Sequence, residues 1–92
     1  MSELRRTITI VNQRGLHARA SAKFVGAVAN LSAATQVKVA KGGNEAAGGS
    51  ILGLMMLGAA KGDEVELIVS GENAKDAFAT LGAMIEDGFG ED

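Results

Sequence analysis

The apolar residues of this chain switch repeatedly between a spacing of two and a spacing of three and four, and that alternation restricts the fold more than any other feature. Residues 4–11 (LRRTITIV) alternate, with Leu4, Arg6, Ile8 and Ile10 on one face and Thr7 and Thr9 on the other, which predicts a strand. NQRGL at 12–16 is a turn signal centred on Gly15. From His17 the period changes. Ala18, Ala22, Val25 and Ala29 form one row and Phe24, Val28 and Leu31 another, predicting an amphipathic helix over 18–30. QVKVA at 36–40 alternates again, and KGGN at 41–44 suits a hairpin turn into a short strand at 45–47.

Ser50 reads as the N-cap of a helix over 51–57 (ILGLMML), with Gly58 as its C-cap. Leu54 and Leu57 are its expected core residues. EVELIV at 64–69 predicts a strand with Val65, Leu67 and Val69 inward. SGEN at 70–73 turns into a last helix with Asn73 as N-cap. Its stripe is Ala74, Ala77, Phe78, Leu81, Met84 and Ile85, and Gly88 ends it. The order β-α-β-β-α-β-α predicts an α+β fold, a sheet covered by helices on one face. An antiparallel arrangement fits, because its other face is then free to meet water.

Composition narrows the function. At 92 residues one domain spanning 1–92 is expected. Apolar residues make up 47%, enough for a core, but no run approaches the roughly 20 residues a membrane span needs. The start, MSELRRTITI, has no apolar h-region, so no signal peptide is read. Cysteine is absent, which rules out disulfides and thiolate metal sites and fits a cytoplasmic protein. A net charge of −2 with 3% aromatics argues against nucleic-acid binding. With a single histidine and no cysteine, no metal site is expected, and no cofactor.

That histidine, His17, stands where a turn meets a helix. Gly15 lets the backbone approach a bound anion. The first turn of the helix offers unpaired N–H groups and the positive end of its dipole, both of which stabilise phosphate. Arg19 can add charge-assisted hydrogen bonds. No acidic side chain lies between Asn12 and Phe24 to repel an anion. Neutral imidazole has a nucleophilic nitrogen, so a phosphohistidine is chemically reasonable here.

Gly15-Leu16-His17-Ala18-Arg19-Ala20-Ser21 (GLHARAS), following an alternating strand, resembles the active-site motif of the HPr phosphocarrier family of the phosphoenolpyruvate-dependent phosphotransferase system. GSILGLMMLG at 49–58 resembles the segment carrying that family's regulatory serine and second helix. KGDEVEL at 61–67 and SGENAKDAF at 70–78 resemble its last strand and helix, so the likeness covers essentially the whole chain.

The resemblance implies an open-faced β-sandwich with a four-stranded, mainly antiparallel sheet. It implies that His17 takes a phosphoryl group on Nδ1 from Enzyme I and donates it to a IIA protein or domain, as a cosubstrate rather than an autonomous enzyme. Arg19 matches the family's phosphate-stabilising arginine, and Gly15, Leu16 and Ala18 its phosphate-contacting loop. Ser50 matches the regulatory site of members that have an HPr kinase/phosphorylase. Ile51, Leu52 and Met55 then fall on the face that docks partners. Many members have proline where this chain has Ala20, and polar or basic residues where it has Gly48 and Gly49. A cytoplasmic monomer of the sugar or the nitrogen-related branch is expected. Two other readings stay open: a regulatory protein-binding module whose phosphorylation state is the signal, and a small nucleic-acid-binding domain.

Overall fold

The computed structural model describes residues 3–91. The alternating segments form four strands: β1 (Leu4–Thr9), β2 (Thr35–Lys41), β3 (Asn44–Ala47) and β4 (Glu64–Gly71). The sheet runs β1-β4-β2-β3, and all three pairings are antiparallel. Three helices, α1 (Ala18–Ala29), α2 (Ile51–Met56) and α3 (Ala74–Glu86), fill the gaps in the order read from the period changes. The open-faced α+β sandwich is therefore the observed architecture. The β2–β3 turn is made by Gly42 and Gly43, both at positive φ, the requirement of a tight two-residue hairpin.

The core lies between the sheet and the helices. Ile8 from β1, Val37 and Val39 from β2, and Val65, Leu67 and Val69 from β4 are buried against Phe24 of α1, Leu54 of α2, and Ala77, Leu81 and Ile85 of α3. Ile68 is buried too, although it alternates onto the opposite face of β4. In register it sits between Arg5 and Lys38, whose aliphatic stems can cover it while their charges stay in water. Arg5 in turn pairs with Glu66 at 3.0 Å on that face.

Several expectations shift. β1 stops at Thr9 rather than Val11, because Ile10 donates to the Asp63 carbonyl and accepts from Gly62 N–H, outside the β1–β4 ladder. Of the first expected row, Ala18, Ala22 and Ala29 are exposed and only Val25 packs partly against the core. The second expected row holds, with Phe24 buried and Val28 and Leu31 packed partly against the core, and the helix also buries Ala20 and Ser21. Ser21 is accommodated because its hydroxyl donates to the Leu16 carbonyl at 3.2 Å.

Asn73 occupies the N-cap position of α3 but adopts the left-handed conformation and makes no side-chain cap. Gly58 follows the C-cap, which is Leu57, and takes the positive φ that commonly ends a helix. Leu57 is only half-buried, whereas Leu54 is fully enclosed. Gly48 carries on the β2–β3 contact through an N–H bond to the Val37 carbonyl. A Cβ there would lie 2.7 Å from Val37 Cγ1.

Candidate functional site

The loop before α1 is built around a close approach that only glycine permits. Gly15 has φ +59°, and a Cβ on it would lie 2.2 Å from the Ala59 carbonyl oxygen. The next residue, Leu16, is buried and donates its N–H to that same oxygen at 3.0 Å. Asn12 is buried beneath the loop and donates to the Gly15 carbonyl at 2.9 Å. On the other side, the Asp63 carboxylate accepts from Ala60 N–H at 2.9 Å and steadies the 59–63 turn against which Gly15 packs. This N–H bond lowers the Asp63 pKa, with Lys41 adding to the effect and burial opposing it.

His17 follows as the N-cap of α1 in extended conformation. The first intrahelical bond runs from Ser21 N–H to the His17 carbonyl. The N–H groups of Ala18, Arg19 and Ala20 therefore have no acceptor within the helix and face its N-terminal end. Ala20, where many members of the resembled family have proline, is fully buried in that first turn. His17 makes no capping bond with its side chain, leaving the imidazole for other partners.

His17 opens into a cleft of about 420 Å³ lined by Gln13, Arg14, Arg19, Lys23, Gly90 and Glu91. Three cationic side chains against one carboxylate make it a place for an anion. Arg14 and Arg19 form no ion pair among the described residues. Among those residues, no three His, Cys, Asp or Glu side chains gather as a metal-holding group.

The sequence showed no carboxylate near the histidine, but the fold brings one. Glu91 Oε1 lies 2.7 Å from His17 Nε2, with the two side chains 13% and 21% exposed. The same oxygen accepts from Asn12 Nδ2 at 3.3 Å. The His17 hydrogen bond lowers the Glu91 pKa below the ordinary carboxylate value; burial opposes this, and the charges of His17 and Lys23 and the Asn12 bond reinforce it. Of the residues singled out in the sequence, His17 and Arg19 line the cleft, together with Arg14, Lys23 and Glu91. Gly15 and Leu16 are buried, and their N–H groups are bonded to the carbonyls of Asn12 and Ala59. Arg14, Lys23, Asn12 and Glu91 carry no signal in the local sequence.

Ser50 lies in a separate region, at the start of α2, where its Oγ accepts from Gly53 N–H at 2.9 Å. That is the expected N-cap. The helix behind it leaves Ile51, Leu52, Met55 and Met56 exposed at 41, 68, 39 and 77%. Met56 enlarges the apolar patch expected at Ile51, Leu52 and Met55. α2 packs against α1, so this patch and the His17 cleft are carried by neighbouring helices.

An open-faced sandwich with a lone histidine at a helix N-terminus in a cationic cleft defines a small phosphate-handling α+β class. Comparison with known proteins identifies which one. The family model described as the PTS HPr component phosphorylation site matches residues 4–87. The phosphocarrier protein HPr of Cupriavidus necator is 42% identical over 88 residues, covering 96% of this chain and 97% of the relative. The phosphocarrier protein NPr of Shewanella violacea is 33% identical over 91 residues, covering 99% and 98%. The crystal structure of HPr-C-His from Thermoanaerobacter tengcongensis superposes with a TM-score of 0.87 at 38% identity, covering 100% of this chain and 99% of that one. The chain belongs to the HPr family and is an HPr/NPr-type phosphocarrier of the phosphotransferase system.

Proposed function

We propose that this single domain takes a phosphoryl group on His17 from phospho-Enzyme I and delivers it to the histidine of a IIA protein or domain. The observation that carries this reading is His17 at the N-terminus of α1, in a cleft shared with Arg14, Arg19 and Lys23. In the accepting step an imidazole lone pair of His17 forms the new N–P bond. The donor's N–P bond breaks, and its electron pair returns to the donor nitrogen. The free N–H groups of Ala18, Arg19 and Ala20 and the Arg19 guanidinium hold the transferred oxygens. Phosphoryl transfer needs mainly positioning and charge stabilisation, which a small rigid domain supplies while the partner completes the site. The protein is then a cosubstrate consumed and regenerated in the cytoplasm.

Partners dock on the apolar patch of α2 beside the cleft, through Ile51, Leu52, Met55 and Met56. A kinase that phosphorylated Ser50 would place two negative charges next to that patch and hinder docking. The decisive experiment is incubation with Enzyme I, Mg²⁺ and phosphoenolpyruvate, followed by intact mass, for the wild type and His17→Ala. The expected result is an acid-labile gain of one phosphoryl group in the wild type alone. No gain in the wild type would overturn the transfer reading in favour of a protein-binding regulatory module.

A further inference from the structure

Glu91 does not reach His17 by chance of a loose tail. The turn Gly88–Gly90 that delivers it has all three residues at positive φ. Phe89 is one of them, at φ +58°, a conformation that costs a non-glycine residue about 1–2 kcal/mol. The strain is held in place because the Phe89 ring is buried in the core and its carbonyl accepts from Lys23 Nζ at 3.0 Å. Glu91 N–H then bonds the Gly88 carbonyl and closes the turn. Asn12, itself fixed on Gly15, grips Oε1 from below, while Oε2 is buried with no hydrogen-bond partner among the described residues. Backbone strain and an unsatisfied oxygen are both concentrated where they put one carboxylate oxygen on one imidazole nitrogen. Such concentrations occur at functional sites.

The engaged nitrogen decides what the other one can do. An ionised carboxylate only accepts, so the Nε2 that faces it carries the proton. In neutral imidazole the lone pair available for attack is then on Nδ1, the nitrogen nearer the backbone and hence nearer the N–H groups of the first helical turn. We propose that Glu91 is a positioning residue for phosphoryl transfer, which accepts the Nε2–H of His17 and so fixes the tautomer and ring orientation that present Nδ1 as the nucleophile.

This inference rests on the reading of His17 as the phosphoryl acceptor. When the Nδ1 pair forms the N–P bond, the Nε2–H stays in place and the ring becomes positively charged. Glu91, across the ring from the new bond, is its counter-ion. When the next acceptor attacks phosphorus, the N–P pair returns to the ring and the charge disappears. No proton has to enter or leave in either direction, because Glu91 holds Nε2 protonated throughout. The carboxylate's repulsion of the phosphoryl group is offset by Arg14, Arg19 and Lys23 around the same cleft.

The test compares wild type with Glu91→Ala by two measurements. Nitrogen-15 spectra of the His17 ring across a pH series report the tautomer of its neutral form. Rates of phosphoryl uptake from phospho-Enzyme I report the reaction. The expected result is a single Nε2-protonated tautomer in the wild type and a mixture in Glu91→Ala. The turnover rate falls about ten-fold with unchanged KM for Enzyme I. Identical tautomers and rates in the two proteins would overturn the proposal while wild-type uptake left the carrier reading intact. A faster variant would also overturn it, making Glu91 a brake, and so would a change in KM alone, making Glu91 a docking contact. Failure of the wild type itself to take up phosphate would mark the loss of the carrier reading instead.

Discussion

Arg19 illustrates what a single residue contributes in the cleft. It is exposed, two positions beyond His17 on the first turn of α1, and forms no ion pair among the described residues. A charge-assisted hydrogen bond is worth about 1.5–3 kcal/mol, and solvent screening puts an exposed arginine at the low end. Arg19→Ala is therefore expected to slow phosphoryl uptake about ten-fold, with no change in melting temperature, measured by rapid-quench mass spectrometry. An unchanged rate would move the stabilising role to Arg14 and Lys23. At this scale the sequence was legible wherever chemistry and position coincide locally. Gly15, His17 and Arg19 lie within five consecutive residues, and one turn meeting one helix explains all three. Glu91 was not legible, because 74 positions separate it from His17 and only the packed turn at Phe89 brings them together. Asn12 reads as turn chemistry, and nothing in its local sequence marks it as a buried bridge between loop and carboxylate.

Helices and strands were more legible than their ends. The period changes and turn signals predicted the four strands and three α-helices in their observed order, since each must bury one face against the others, but not the short 3-10 turn Gly88–Gly90. Terminal residues depend on who accepts the last backbone hydrogen bond, which no local pattern states. Asn73 shows this: the residue type suits a cap, yet its left-handed backbone makes no side-chain capping bond. Ser50 is the opposite case, where the cap forms as read. Replacing Ser50 by alanine removes the acceptor of Gly53 N–H and is expected to cost about 1 kcal/mol, lowering the melting temperature by roughly 4–8 °C in a domain of this size. A calorimetric melt checks it. The patch behind that cap gives a second test. Leu52 is 68% exposed, so Leu52→Asp should leave the melt unchanged while raising the KM for Enzyme I about ten-fold. An unaltered KM would remove α2 from the docking surface.

Across the whole molecule, the two carboxylates with lowered pKa link the stability of the fold to the integrity of its site. Asp63 braces the turn beneath Gly15, and Glu91 ties the turn after α3 to His17 at the start of α1. Their ordinary values are 3.8 and 4.5, and both are lowered in the folded chain, Asp63 chiefly by the Ala60 N–H bond and Glu91 chiefly by the His17 bond. A carboxylate whose folded pKa lies below its unfolded one binds fewer protons when folded. Its stabilising contribution is complete above the unfolded value and is lost as pH falls through the folded one. Denaturant midpoints should therefore be insensitive to these two groups near neutrality and fall once the pH drops below their ordinary values. Asp63→Asn and Glu91→Gln should each flatten part of that acid limb. Both groups brace the Gly15 loop, Asp63 through the 59–63 turn and Glu91 through Asn12, so their effects in the double variant should fall short of additive. A double variant with the same acid limb as the wild type would show that neither contact reaches the global stability. The site loop and the 88–91 turn would then be opening independently of the sheet and its helices.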